Sequence, residues 1–381
     1  MQCYRISIND PQYLFEKLGC DKTGCKILSK KSDIHTLYIK DIHFGAANIL
    51  KQDALSIGAD LAVPSGVIIG KEKYVDAILL GNTKHFETLS RKESAQPFGL
   101  KTLAKELKNF IKQRNYATKI MGVINANEDS FYKKSRFNET NAVLTIESMI
   151  HDGADIIDIG GVSSRPGSVS VTEDEELKRI KPICDLIHQQ NFHNKVDFSI
   201  DSYQPKVIDY ALNKGFNIVN DITGLTDDNV AKVTSNYDAQ LVIMHMQKNP
   251  IDMQNEPKYE NVMLEISDFF DRQIKKAHDF GIKKIVLDVG IGFGKTLDHN
   301  LALLNNLEHF KKFGHELLIG ASRKSMINNI VTSSIEERLP GTLAIHLESL
   351  KKGASIVRCH DVKEHYQAIK VQEAILNQKM Y

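Results

Sequence analysis

The 381-residue sequence predicts an α/β fold: a (β/α)8 barrel of the TIM type over residues 116–381, preceded by a small α/β extension over residues 1–115. Three observations carry that expectation. From residue 116 onward the chain repeats one rhythm: a short β-branched run, a polar or Gly-bearing turn, then a helix-length amphipathic stretch. The runs are apolar on both faces, as parallel strands covered by helices are. Eight of them fall in about 266 residues, the count and length of such a barrel. An open doubly wound sheet normally uses fewer strands, and no Gly-x-Gly-x-x-Gly follows the first run.

In chain order, the extension starts without a clear pattern. Thr36–Ile42 alternates like a strand, Ala46–Ile57 reads as a helix stopped at Gly58, and Asp60–Val63 as a strand ended by Pro64. Asp76–Leu80 is a further strand candidate. Leu103, Leu107, Phe110 and Ile111 lie at helical spacing and lead into the barrel. Asp53, His43 and Lys51 are scattered through this region and read as solvated surface. The eight barrel runs are Lys119–Asn125, Asp155–Gly160, Val196–Asp201, Phe216–Asp221, Gln240–His245, Lys284–Asp288, Glu316–Gly320 and Ala354–Arg358. Between them, Thr172 with Glu175 forms a capping-box pattern, and Pro205 stands where a first helical turn tolerates it.

Composition narrows the function classes. Hydrophobic residues at 42% and charged residues at 25% are ordinary for a globular chain. Lys+Arg 49 against Asp+Glu 48 leaves a net charge of +1, so nothing electrostatic points to nucleic acid or an anionic membrane. No apolar run approaches the roughly 18 residues a span needs. The first ten residues lack a secretory pattern, and the 5 cysteines form no metal-ligand pair spacing. A cytoplasmic protein with reduced thiols is the expectation.

In a (β/α)8 barrel the active site lies at the C-terminal ends of the strands, so the residues standing there are informative. They are Asn125; Gly160 to Gly167 with Ser164, Arg165 and Pro166; Asp201; Asn220-Asp221; His245; Asp288 with Gly290 to Lys295; Ser322 to Ser325; and Arg358, His360 and Asp361. One or two such residues would be turn chemistry, whereas eight polar ends on one rim suggest a site. Asp201, Asn220 and Asp288 suit a flat heterocycle rich in N–H groups, with a carboxylate pair for metal as the competing reading. Arg323, Lys324, Arg358 and His360 lie where barrels commonly bind phosphate. His245 is as readily a hydrogen-bonded core histidine as a ligand contact, and Asp221 reads as a turn cap. Lys295 lacks the spacing of a phosphate-binding loop. The acidic run Glu173–Glu176 reads as a helix start and nothing more.

The residues as a set resemble dihydropteroate synthase. The resemblance rests on Met121-Gly122-Val123-Ile124-Asn125, Asp129-Ser130-Phe131, the Gly-Gly-x-Ser-Ser-Arg-Pro-Gly loop and Ser199-Ile200-Asp201-Ser202. It continues through Ile218 to Ile222, Met244-His245-Met246, Gly290 to Lys295, Ser322-Arg323-Lys324 and Arg358 to Val362. It runs in order from about residue 119 to the end; the long N-terminal extension is similar to that of the Campylobacter and Helicobacter synthases. The resemblance implies condensation of 6-hydroxymethyl-7,8-dihydropterin diphosphate with 4-aminobenzoate, giving 7,8-dihydropteroate and pyrophosphate in folate biosynthesis. It implies pterin contacts at Asp201, Asn220, Asp288 and Lys324, with Met244 and Phe293 packing nearby, and diphosphate contacts at Ser164, Arg358 and His360. Phe131, Arg165, Pro166 and Ser325 fall to 4-aminobenzoate, and Asn125 to Mg²⁺; Asp201, Lys324, Arg358 and His360 are the implied catalytic set. A homodimer and sulfonamide binding complete what the family implies.

The sequence also departs from the family pattern. The first loop reads Asn125-Ala126-Asn127-Glu128-Asp129-Ser130-Phe131 where Asn-Val-Thr-Pro-Asp-Ser-Phe is usual, Val162 stands where Glu is common, and Ser164 where Thr is. Two other readings are weighed. A methyltetrahydrofolate-type methyltransferase shares the barrel and the Asp/Asn/Asp logic, but it has no use for Ser164-Arg165-Pro166-Gly167, Arg358 and His360. A non-catalytic pterin-binding or regulatory homologue is supported by the altered first loop alone.

Overall fold

The computed structural model describes every residue except 2, 4, 5, 7, 113, 127–138, 163–170, 249–252, 254–255 and 379–381. The chain forms two compact units, Met1–Gln113 with Leu376–Tyr381, and Arg114–Ile375. No helix among the described residues is long and apolar enough to cross a membrane.

The first unit runs α1 (Pro11–Lys17), α2 (Lys22–Ser32), β1 (Ile34–His43), α3 (Phe44–Leu55), β2 (Asp60–Ala62), β3 (Tyr74–Asn82), α4 (Thr83–Lys92) and α5 (Leu100–Ile111). Its strands pair antiparallel in the order β1-β3-β2. Strict alternation sets the faces: Val75, Ala77 and Leu79 of β3 are buried while Tyr74, Asp76 and Ile78 are exposed. The buried face joins Ala46, Leu50, Phe86, Leu89 and Leu107 from the helices in one core.

The expected strands and the expected helices at α3 and α5 are present, whereas α1, α2 and α4 go beyond the sequence reading. The reason is physical. No residue of α1 is buried and only Cys25 of α2 is, so neither displays an apolar stripe. Helix α4 starts directly on the last residue of β3, where Asn82 caps it and His85 takes the reciprocal place that Glu or Gln usually fills. His43 and Asp53 are also not mere solvated surface. His43 accepts the Gly45 N–H at 3.1 Å and stacks on Phe98 with ring centres 4.7 Å apart. Asp53 pairs with Lys92 at 2.6 Å.

The second unit contains eight parallel strands: β4 (Lys119–Asn125), β5 (Ile156–Gly160), β6 (Asp197–Asp201), β7 (Ile218–Asp221), β8 (Gln240–Met244), β9 (Ile285–Asp288), β10 (Glu316–Ile319) and β11 (Ile356–Cys359). They close in sequence order, β11 pairing with β4. Helices α6 (Glu139–His151), α7 (Glu173–Gln189), α8 (Pro205–Asn213), α9 (Asp228–Asn236), α10 (Val262–Asp279), α11 (Leu297–Asn305), α12 (Ser325–Ile330), α13 (Leu339–Lys351) and α14 (Val362–Leu376) follow the strands. Pro205 opens α8 as expected. Thr172 caps α7, but only half of a capping box forms: its hydroxyl accepts the Glu175 N–H at 3.3 Å while the Glu175 carboxylate pairs with Arg179 at 3.1 Å.

Two apolar layers hold the barrel. The outward faces of the strands pack on the helices through Ile157, Phe198, Val219, Leu241, Leu287 and their neighbours. Inside, Met121, Ile156, Ile218, Val242, Val286, Leu318 and Ile356 form a plug with one residue from each of seven strands. Strand β6 offers the small buried Ser199 at the matching register, opposite Ile218.

Candidate active site

Because side chains alternate along a strand, residues two positions beyond that plug also point to the barrel axis. They are Val123, Asp158, Asp201, Asn220, Met244, Asp288, Gly320 and Arg358. The plug is entirely apolar apart from Ser199; the layer above it is mostly polar. That change over one strand repeat makes the floor of a polar well.

Arg358 organises one half of the well. Its Nη2 lies 2.6 Å from Asp158 Oδ2 and 2.7 Å from Asp201 Oδ2, and its Nε donates to Asp158 Oδ2 at 2.7 Å. Asn220 Nδ2 donates to the same Asp158 oxygen at 3.2 Å. Burial pushes the Asp201 carboxyl up to about 7 against the pull of Arg358, with Asp158, Glu176 and Asp221 adding to the rise. Burial works against the Arg358 charge, and Asp158 and Asp201 outweigh it, leaving the guanidinium held above its ordinary range.

Asp288 and two lysines organise the other half. Asp288 accepts the Gly290 N–H at 2.8 Å, and burial raises its carboxyl. The Lys324 ammonium donates to the Ile291 carbonyl and sits 4.3 Å from the centre of the half-buried Phe293 ring. Burial brings Lys324 down to about 8, with Arg358 adding and Asp288 and Asp201 opposing. Lys295 is buried deeper, donating to the Phe293 carbonyl at 2.9 Å and the His245 carbonyl at 3.2 Å. Its Nζ also lies 3.1 Å from His245 Nδ1, and burial brings it down to about 7. Burial, then Lys295, holds His245 neutral, at about 2.

Above this floor, Ser322 Oγ meets His360 Nδ1 at 2.9 Å. Arg323 grips Asp361 with the Nε–Nη2 edge of its guanidinium, at 3.0 and 2.7 Å, and its Nη1 donates to the carbonyls of Ile335 and Glu336. It therefore ties the seventh and eighth loops together rather than offering a free cation to phosphate. Asn125 ends β4 half-buried, beside Gly160. Its amide oxygen is a hard donor, and no three His, Cys, Asp or Glu residues gather as a metal site among the described residues.

The geometry thus brings together Asp201, Asn220, Met244, Asp288, Phe293, Lys324, Arg358 and His360. Ser325 is exposed at the first residue of α12. Phe131, Ser164, Arg165 and Pro166 lie outside the described residues. Asp221 is a turn cap, accepting from Thr223 N at 2.8 Å and Leu225 N at 2.7 Å. Two residues escaped the sequence reading. Asp158 stands inside its strand run rather than at its end, and its signal is a charged residue in phase with Asn220 and Arg358. Glu176, in the acidic start of α7, is buried beside Ser202 with its carboxyl pushed up to about 7 by burial, and its charge acts on Asp201.

Residues 121–360 match the pterin binding enzyme family. The bifunctional dihydropteroate synthase/dihydropteroate reductase of Helicobacter pylori is 39% identical over 94% of this chain and 95% of its own length. The dihydropteroate synthase of Escherichia coli is 40% identical over 68% of this chain and 92% of its own. A Clostridium difficile dihydropteroate synthase crystallised in the presence of pteroic acid superposes with a TM-score of 0.64 at 39% identity, covering 69% of this chain and 98% of that one. The closed eight-stranded barrel is the fold shared with these synthases, and the chain belongs to the pterin-binding enzymes as one of their dihydropteroate synthases.

Proposed function

We propose that the polar layer above the plug is where this synthase binds dihydropterin diphosphate and joins it to 4-aminobenzoate. The observation that carries the assignment is the set of polar groups on and above that layer. Carboxylates and an amide at Asp201, Asn220 and Asp288 face the well beside Lys324, Arg358 lies on the same floor paired with Asp158 and Asp201, and His360 stands two residues further on toward the rim. A pterin ring offers N–H groups to the first set, and a diphosphate offers anionic oxygens to the second. Met244 and Phe293 supply apolar walls for the flat ring.

Reaction requires the bond from the pterin methylene carbon to the diphosphate oxygen to break, its electron pair leaving on pyrophosphate. The amine lone pair of 4-aminobenzoate then forms the new C–N bond, and the nitrogen gives up one proton to solvent. Arg358 and His360 neutralise charge on the departing pyrophosphate, while Asp201 faces the cation left on the pterin methylene. No side-chain nucleophile is required. Ser164 adds to the diphosphate contacts, and Phe131, Arg165, Pro166 and Ser325 belong to the 4-aminobenzoate end. Asn125 is the residue that would hold Mg²⁺, which supplies further charge neutralisation to the leaving group when bound. A homodimer and a cytoplasmic location belong to the same reading.

The test is pyrophosphate release from dihydropterin diphosphate with Mg²⁺. Release that depends on 4-aminobenzoate, and that a sulfonamide suppresses competitively, supports the reading. Release at the same rate without 4-aminobenzoate contradicts it.

A second activity is favoured by the extent of the matches. The Helicobacter relative, named for a synthase and a dihydropteroate reductase, aligns over 94% of the chain, whereas the Escherichia coli synthase aligns over 68%. The additional matched length falls in the first unit. We infer that reduction of dihydropteroate by an added electron donor is the activity to assay beside the condensation; full-length protein that leaves dihydropteroate unreduced with hydride and flavin donors would contradict it.

A further inference from the structure

The loop after β10 carries Lys324, β11 itself carries Arg358 and the loop after it His360, and a buried polar connection runs behind the two loops. His346 on α13 and His365 on α14 are each 1% exposed. The backbone N–H of Ala321 donates to His346 Nε2 at 3.1 Å. That nitrogen is therefore the unprotonated one, so His346 carries its proton on Nδ1, which lies 2.8 Å from His365 Nε2 and donates to it. His365 then holds its own proton on Nδ1 and donates it to the Asp361 carbonyl at 2.6 Å. Every nitrogen has one role, and both tautomers follow from the two backbone groups at the ends. Burial keeps both rings neutral, which this arrangement requires.

The two ends of the connection are backbone atoms of the two loops. Ala321 precedes Ser322, and Asp361 follows His360. Ser322 and His360 meet at 2.9 Å on the other side, and Arg323 grips Asp361 at 2.7 Å. A side chain with equal volume and no polar atoms would preserve the packing there. At position 346 it would leave the Ala321 N–H without its partner; at position 365 it would leave the Asp361 carbonyl only the bond from the residue-365 backbone N–H, at 3.2 Å, and would take away the acceptor of the His346 Nδ1–H, and the loop would shift to recover one.

We propose that the His346–His365 pair is a positioning device for the anion-binding rim, fixing the loops after β10 and β11 at the separation where His360 and Arg358 reach a leaving diphosphate. The inference rests on the diphosphate assignment made above. It concerns two positioning residues that touch no substrate.

The test uses the full-length chain with two probes, inorganic pyrophosphate and 6-hydroxymethylpterin, each titrated calorimetrically. In His365→Phe, pyrophosphate affinity falls about tenfold and KM for dihydropterin diphosphate rises with it, while 6-hydroxymethylpterin binds within about twofold of wild type. In His346→Gln, whose side-chain oxygen accepts the Ala321 N–H, most of the pyrophosphate affinity is retained. Should His365→Phe fail to fold, His365→Asn keeps a donor near Asp361 and breaks the link to His346, and the same selective loss is expected. Unchanged pyrophosphate binding in the folded variants overturns the proposal. So does an equal loss for both probes, which marks a general structural role. Wild-type protein that binds the pterin but never pyrophosphate sinks the diphosphate assignment itself, a result distinct from either.

Discussion

Asp158 shows how much chemistry a single buried residue sets here. One of its oxygens receives Arg358 twice and Asn220 once, at 2.7, 2.6 and 3.2 Å, so it holds the guanidinium at the floor of the well. Asp158→Asn removes the charge but not the shape. Arg358 then keeps Asp201 as its one directly paired carboxylate, and kcat/KM for the diphosphate substrate should fall about 10- to 100-fold, as when one partner of a buried charge pair is lost. Steady-state kinetics on folded protein check this; unchanged kcat/KM would make Asp158 dispensable. Lys295 gives a pH prediction. Its folded pKa, about 7, lies below that of an unfolded lysine, so from about pH 7 to 10 the unfolded chain binds a proton the folded one has released. Stability contributed through Lys295 therefore rises with pH across that window and is lost as pH falls through it. Lys295→Met should flatten that part of the melting-temperature profile; an unaltered slope contradicts the assignment. The well's rim residues were legible because strand ends are where barrels place chemistry. Asp158 and Glu176 were not, since one lies within a strand and the other within an acidic helix start that has an ordinary explanation.

At the scale of elements, the barrel strands were readable because each carries its own signal. A run such as Gln240–Met244 is buried at nearly every position, and that demands continuous apolar sequence. The helices of the first unit are less readable because their stability comes from context. Helix α2 buries a single residue, and α4 depends on a cap whose reciprocal partner is a histidine. The loop after β9 is fixed differently, by backbone space. Gly290 has φ +69°, and a Cβ there would lie 1.9 Å from the His245 carbonyl oxygen. Gly290→Ala should therefore destabilise the barrel by about 3 kcal/mol or more and displace Asp288, whose carboxylate accepts the Gly290 N–H. Urea unfolding measures the first effect and pterin binding the second. A loss under about 0.5 kcal/mol, the range of a neutral surface substitution, would contradict it.

At the scale of the molecule, the chain is two units with separate cores. The first contains its own buried acid: Glu93 is fully buried, and burial, then Asp53, pushes its carboxyl up to about 7. An unfolded glutamic acid titrates near 4.3, so between about pH 4.5 and 7 the folded chain holds the extra proton. Stability drawn from Glu93 is present below that range and is lost as pH rises through it. Glu93→Gln should make the first unit's melting independent of pH there, and a persisting fall would place its source elsewhere.

The central claim is that one layer of inward-facing residues, two positions above the plug, together with Lys324 from the loop after β10, is where dihydropterin diphosphate reacts. It is tested most directly by 4-aminobenzoate-dependent pyrophosphate release in wild type, Asp201→Asn and Lys324→Ala, each with circular dichroism to establish folding. The account predicts that both folded variants lose at least about 100-fold in kcat/KM, the scale of a removed electrostatic contact to a transition state. Turnover within about threefold of wild type in either folded variant would contradict it, since well under 1 kcal/mol would then separate the layer from an ordinary part of the barrel wall.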